Sequence, residues 1–300
     1  MNIAMIGGGS IGLLFGYYLS EFHNVNFYVR THEQAEKIMN SGLFLQKGKE
    51  MEVIQAKAYI LPEWSGDEDL SIVAVKQYHM PAVINILKNN APEYSGSFIF
   101  LQNGMGHLQW LNQLKADNVY VGSVEHGAYR TDANIVRQTG LGKTKLALFK
   151  GSSLSAAMEM AKPLTHFPFS FEDDYYEMLL NKLVVNSVVN PLTAILRIPN
   201  GELLANPFYH SFMKDYFSEI SACLDLRNKE KSFANVEEVC KKTAENRSSM
   251  LKDIEENRQT EIDAILGFVL EKAKENKKDA PLTAGFYQLI KGKEYKGGEE

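Results

Sequence analysis

Gly7-Gly8-Gly9-Ser10-Ile11-Gly12 sets glycines in the order G-x-G-x-x-G, directly after an apolar run at residues 3–6 and directly before a helical stretch reaching Leu19. In that context the first glycine permits a tight turn, the second lets the backbone approach a diphosphate, and the third lets helix pack on strand. The helix N-terminus adds attraction for phosphate charge. Gly7, Gly8, Gly9, Ser10, Ile11 and Gly12 therefore read as a dinucleotide-binding turn rather than a merely structural one. The next apolar run, residues 25–29, ends at Arg30-Thr31-His32, with no acid before Glu33. An acid there would suit the ribose 2'-hydroxyl of NAD; an arginine suits the 2'-phosphate of NADP. The plainer alternative for Arg30 is a solvated strand-end arginine.

Two more strand-like runs deliver polar residues at their carboxyl ends, where ligands lie in an open α/β sheet: Lys76 after residues 71–75, and Asn103 within Leu101-Gln-Asn-Gly-Met-Gly106. In the second half, Lys182, Asn186 and Asn190 recur every four residues among leucines and valines, so they share one helix face. A lysine in such a segment is costly unless an anion meets it. Asn190-Pro191 matches a helix N-cap followed by a first-turn proline, and for Asn190 a cap and a ligand contact both stay open. Ser249 and Asp253 share a helical face further on. Thr260 reads as a cap, and Glu261 as an acid in the first turn of an apolar helix at 262–270, a structural role on spacing alone.

The elements that must position these residues alternate in the first half. Apolar runs at 3–6, 25–29, 70–75, 98–101 and 120–124 are separated by amphipathic stretches, which implies a parallel α/β sheet. Two-residue alternation at 140–149 suggests antiparallel strands closing it. After about Phe171 helical periodicity takes over, with the boundary near Glu172-Asp173-Asp174. The tail from Lys291 is charged and glycine-rich and is expected to fray.

Bulk properties bound the rest. The 300 residues are 45% hydrophobic and 23% charged, material for two cores. A net charge of -5 leaves no basic surface for nucleic acid or acidic membrane. Cys223 and Cys240 fit neither a metal-ligand spacing nor a disulfide framework, so no metal is expected. No export signal opens the chain and no uncharged apolar run of spanning length is visible, which points to the cytoplasm. A small-molecule substrate is the expected partner; a homodimer is left open.

The ordered set Gly7-x-Gly9-x-x-Gly12, Ala74-Val-Lys76, Gln102-Asn-Gly-Met-Gly106, Asn181-Lys182-Leu183-x-x-Asn186-x-x-x-Asn190-Pro191, Asn200-Gly-Glu202, Ser248-Ser249-Met250-x-x-Asp253 and Arg258-x-Thr-Glu261-Ile-Asp263 resembles the ketopantoate reductase family. The match runs over nearly the whole chain; its second-half motifs are far more specific than the glycine loop. His79 departs from the pattern, since relatives often carry glutamine there. The resemblance implies a Rossmann-type dinucleotide-binding domain at 1–172, an all-α domain at 173–300 and an active cleft between them. It implies NADPH-dependent reduction of 2-dehydropantoate to D-pantoate, on the route to pantothenate and coenzyme A; the alternatives are another NADP-dependent 2-oxoacid or 3-hydroxyacid dehydrogenase of the same two-domain plan, or a non-catalytic NADP-sensing protein. It also implies Lys182 as general acid at the keto oxygen and Glu261 as the group orienting the substrate through its hydroxyl. Asn186, Asn190 and Ser249 would hold the hydroxyl and carboxylate ends. Asn103 and Lys76 would help position cofactor and substrate.

Overall fold

Runs of β-branched and aromatic residues in the first half form a mostly parallel sheet in the computed structural model, which describes residues 1–295. In chain order the elements are β1 (Asn2–Ile6), α1 (Ser10–Leu19), β2 (Asn24–Val29), α2 (His32–Ser41), β3 (Leu43–Lys47), β4 (Glu50–Ile54), β5 (Lys57–Ile60), β6 (Leu70–Val73) and α3 (Met80–Asn90). There follow β7 (Ser97–Phe100), α4 (Leu108–Leu111), β8 (Asn118–Val124), β9 (Gly127–Asp132), β10 (Ile135–Gly140), β11 (Thr144–Lys150), α5 (Ser155–Ala161) and β12 (Phe169–Glu172). The main sheet has eight strands in the order β12-β11-β8-β7-β6-β1-β2-β5. All its pairs are parallel except β11 with β8, the antiparallel closure expected from the alternation at 140–149. β6 and β7 are buried throughout, which is why they read as unbroken apolar runs.

Strand order reverses at β1, whose neighbours are β2 on one side and β6 on the other. Such a switch point opens a crevice beyond the strands' carboxyl ends. There the chain leaves β6 two residues earlier than the apolar run 70–75 suggests. Gln102 Nε2 donates to the carbonyls of Val73 (2.9 Å) and Val75 (3.1 Å), tying down a segment that the strand ladder releases.

A second sheet, β4-β3-β10-β9, was not foreseen from the sequence. Its β4 is largely solvent-exposed, so it lacks the alternation that marks a half-buried strand. α1 packs on the sheets through a nearly all-buried surface, and Gly16 lets it approach β2: a Cβ there would fall 2.0 Å from Phe27 Cζ. Under α1, Phe15 meets Phe167 edge-on at 5.1 Å, and the His126 ring stacks on Phe167 at 4.0 Å.

The chain divides into two compact units. The first comprises Met1–Gln102 and His107–Met178. The second comprises Asn103–Gly106 and the residues from Leu179 onward. Asn103–Gly106 joins the second unit because Gly104, at φ +77°, lies so close to Ala264 that a Cβ would sit 2.1 Å from the Ala264 carbonyl oxygen.

Among the described residues the second unit is helical: most of α6 (Tyr175–Leu196), then α7 (Glu202–Ala205), α8 (Pro207–Cys223), α9 (Lys229–Lys242), α10 (Ser249–Glu255), α11 (Phe268–Glu275) and α12 (Pro281–Glu294). α6 corrects one expectation. Pro191 lies inside it, so Asn190 is not an N-cap. A proline removes one ladder bond, and here residues 187–194 are all buried, which outweighs that loss. The Thr193 hydroxyl lies 2.8 Å from both the Val189 carbonyl and Ser248 Oγ, tying α6 to the start of α10. By length and composition α6, with 22 residues, could cross a membrane, although Glu177 and Lys182 keep it from being an uncharged apolar run. Its most apolar window is 67% buried inside the protein, as in a core helix.

Where a regular helix was expected at 262–270, the backbone forms a π-turn, Asp263–Gly267, leading into α11. α12 is tied down at both ends. Glu219 of α8 accepts the main-chain N–H groups of Leu282 (3.0 Å) and Thr283 (2.7 Å). At the far end Glu294 accepts the N–H of Thr260 (2.8 Å), while Tyr287 and Lys291 donate to Asp263 (2.6 and 3.2 Å). The expected fraying therefore does not begin at Lys291; the last five positions lie outside the described residues.

Candidate functional site

The first unit carries the glycine loop between β1 and α1, and at Gly7, Gly8 and Gly12 the loop has no room for a side chain. Gly7 has φ +115°, and a Cβ on it would lie 3.0 Å from the Ala74 carbonyl oxygen. On Gly12 a Cβ would fall 1.8 Å from the Gly7 carbonyl oxygen. These approaches bring the start of α1 onto the end of β1 and beside the end of β6. α1 begins at Ser10 with Gly9 as N-cap, no side chain caps it, and no acid stands in its first turn. A helix N-terminus left bare in a crevice fits an anion, and the glycine-lined approach fits a diphosphate in particular.

The Gly8 carbonyl is turned into the protein. It accepts from the buried Gln34 Nε2 (2.8 Å) and from Arg130 Nη1 (3.1 Å), while the Arg130 main-chain N–H donates to Ser10 Oγ (3.0 Å). Neither Gln34 nor Arg130 stood out in the sequence. Gln34 lies in an ordinary amphipathic helix, and Arg130 lies on β9, in the sheet whose strands carry a weak pattern.

Arg30 is exposed directly beyond β2. His79, half-buried at the end of a short 3-10 turn, has its imidazole held below the ordinary range by burial and then by the Arg30 charge. Those two residues therefore feel each other's field. Lys76 is half-buried and precedes the same turn, with its carbonyl accepting from the His79 N–H (3.0 Å). Arg30, Lys76 and His79 thus gather cationic and donor character at the ends of β2 and β6, chemistry suited to a phosphate monoester.

In the second unit the structure brings together two residues far apart in the chain. Asn103 Nδ2 donates to Glu261 Oε2 at 2.8 Å. Glu261 is only 7% exposed and lies two residues before the π-turn, so its carboxylate is held in place rather than solvated at the surface. π-turns often mark functional positions in helices. Thr260 does partly cap the turn, its hydroxyl accepting from the Ile262 N–H (3.1 Å).

Lys182, Asn186 and Asn190 lie on continuous α6 with the four-residue spacing that sets them on one face. Lys182 and Asn186 are half-buried and Asn190 is buried. At α10 the two serines divide. Ser248 is the buried N-cap, accepting from the Leu251 N–H (3.1 Å), whereas Ser249 opens the helix and is exposed. Asp253, buried in the same helix, is paired with Arg258 at 3.0 Å. Asn200, part of the Asn-Gly-Glu motif, donates to the Thr243 hydroxyl (2.9 Å) and braces the chain before α7. Among the described residues no cluster of histidine, cysteine and carboxylate side chains could hold a metal ion.

The family models that match the chain divide it much as the fold does. "Ketopantoate reductase PanE/ApbA" matches residues 3–151, and "Ketopantoate reductase PanE/ApbA C terminal" matches residues 174–294. A 2-dehydropantoate 2-reductase of Bacillus subtilis is 41% identical over 297 residues, covering 98% of each chain. One from Listeria monocytogenes is 33% identical, over 98% of this chain and 97% of its own. A crystal structure of a probable 2-dehydropantoate 2-reductase from Bacillus subtilis superposes with a TM-score of 0.89 at 40% identity, over 98% of this chain and all of that one. With both halves matched and relatives aligned from end to end, this chain belongs to the ketopantoate reductase family.

Proposed function

We propose that the chain reduces 2-dehydropantoate to D-pantoate with NADPH, a step toward pantothenate and coenzyme A. The observation that carries this reading is the buried Glu261 carboxylate, held by Asn103, in a chain whose relatives of that activity align over its full length. Residues 1–172 would bind the dinucleotide, with Gly7 to Gly12 taking the diphosphate and Arg30 and Lys76 the 2'-phosphate. Residues 173–300 would supply the chemistry.

NADPH, when bound, supplies hydride for the C2 carbonyl. The Lys182 ammonium stabilises the negative charge growing on the keto oxygen and gives it a proton. Glu261 accepts the substrate's hydroxyl proton in a hydrogen bond, and Asn103 keeps the carboxylate turned for that contact. Asn186, Asn190 and Ser249 supply neutral donors for the hydroxyl and carboxylate ends, which orient the substrate without adding competing charge. The cytoplasm is the proposed location, in keeping with two buried, unbridged cysteines, Cys223 and Cys240.

The test is a panel of 2-oxoacids with the purified chain, followed by loss of NADPH absorbance, with NADH run in parallel. 2-Dehydropantoate should give the highest kcat/KM. Faster turnover of a substrate without the hydroxymethyl group would overturn the reading, because it would leave Glu261 nothing to orient.

A further inference from the structure

Arg130 is held against the glycine loop twice: its main-chain N–H donates to Ser10 Oγ (3.0 Å), and its guanidinium donates through Nη1 to the Gly8 carbonyl (3.1 Å). That bond uses one of five guanidinium donors, and the residue is exposed. Gly8 oxygen also accepts from Gln34 Nε2 (2.8 Å), so its two lone pairs are filled and the carbonyl is locked inward.

The electrostatics of this arrangement are unfavourable in isolation. The start of α1 carries the positive end of the helix dipole, and a cation beside it is repelled. No acid stands in the first turn of α1 to compensate. The carboxylate nearest in sequence, Asp132, is engaged by Lys37 at 2.7 Å, and the Arg130 charge is the weakest of the influences on it. A guanidinium fixed beside a positive helix end is relieved by an anion that both can share.

We propose that Arg130 is a diphosphate-binding residue, its fork closing on the phosphate oxygens that the start of α1 receives. The inference rests on the proposed use of NADPH and adds a residue on β9 to the glycine loop and the 2'-phosphate group. The diphosphate is common to NADPH and NADH, whereas the 2'-phosphate belongs to NADPH alone. Arg130 should therefore set affinity without setting preference.

The experiment is calorimetric titration of the apoprotein with NADPH and with NADH, for the unmutated chain, Arg130→Met and Arg130→Lys, at several salt concentrations. Arg130→Met should raise both Kd values by a similar factor, about ten- to a hundredfold, as expected for a charge-assisted hydrogen bond. It should also flatten the dependence of log Kd on log salt. Arg130→Lys keeps the charge without the fork and should recover part of the affinity. Unchanged Kd values, or a loss confined to NADPH, would overturn the assignment. So would a loss of affinity with the salt slope intact, which would make Arg130 only a brace of the loop. If the unmutated chain bound neither dinucleotide, the proposed function would fall, and this inference with it.

Discussion

Asn103 and Glu261, separated by 158 positions in the chain, share a 2.8 Å hydrogen bond in which the amide donates to the carboxylate. The amide restrains the carboxylate's rotation, so in the proposed reaction Asn103 would orient Glu261 toward the substrate. Asn103→Ala should raise KM for 2-dehydropantoate about tenfold, the worth of one hydrogen bond to a charged group. In a double-mutant cycle with Glu261→Gln the two losses should be less than additive. Strict additivity in kcat/KM would mean that the two residues act separately.

Lys182→Met keeps the alkyl stem and removes the ammonium. It should lower kcat by about 10²- to 10⁴-fold, the usual contribution of a general acid, with the Kd for NADPH nearly unchanged. If only the melting temperature fell while the folded fraction turned over normally, Lys182 would be a structural lysine.

Arg30→Asp should erode or reverse the preference for NADPH by removing the proposed charge partner of the 2'-phosphate. The same change removes one of the two influences that depress His79. An NMR titration should therefore find the His79 pKa raised in the variant. A His79 pKa that did not move would separate the two side chains electrostatically.

His126 carries a pH effect on stability. Burial pushes its pKa down to about 4, so the native ring stays neutral where an unfolded histidine, with a pKa of about 6.5, takes up a proton. Its contribution is fully present above about pH 6.5 and is lost as pH falls toward 4, up to about 3 kcal/mol in all. Urea unfolding at a series of pH values should show this slope, and His126→Gln should flatten it. An unchanged slope in the variant would assign the acid sensitivity elsewhere.

Gly12→Ala should destabilise the chain by about 4 kcal/mol, near the top of the range for single substitutions. A Cβ at 1.8 Å from the Gly7 carbonyl oxygen can be relieved only by moving backbone. Denaturant unfolding measures this. A stable variant with intact NADPH affinity would show that the turn can open without consequence.

Much of this was legible because it is local. The glycine loop, the buried parallel strands and the α6 face each follow from spacing within a single element. The sheet formed by β3, β4, β9 and β10 was not, because β4 is too exposed to carry an alternating pattern. Pro191 misled because propensity gave way to burial on all sides of the helix. Glu261 looked like a first-turn acid because its spacing cannot reveal that Asn103 comes from the other half of the sequence to meet it.

The bonds from α12 to Thr260 and Asp263 bracket Glu261 on both sides, and they carry a kinetic meaning. The Thr260 amide proton is held by Glu294, so it exchanges with solvent only when the end of α12 lets go. Its exchange rate is then a clock for local opening of the last helix. If that opening is rarer than turnover, the segment around Glu261 acts as a fixed wall; if it is more frequent, each catalytic cycle samples a population in which the wall is briefly down.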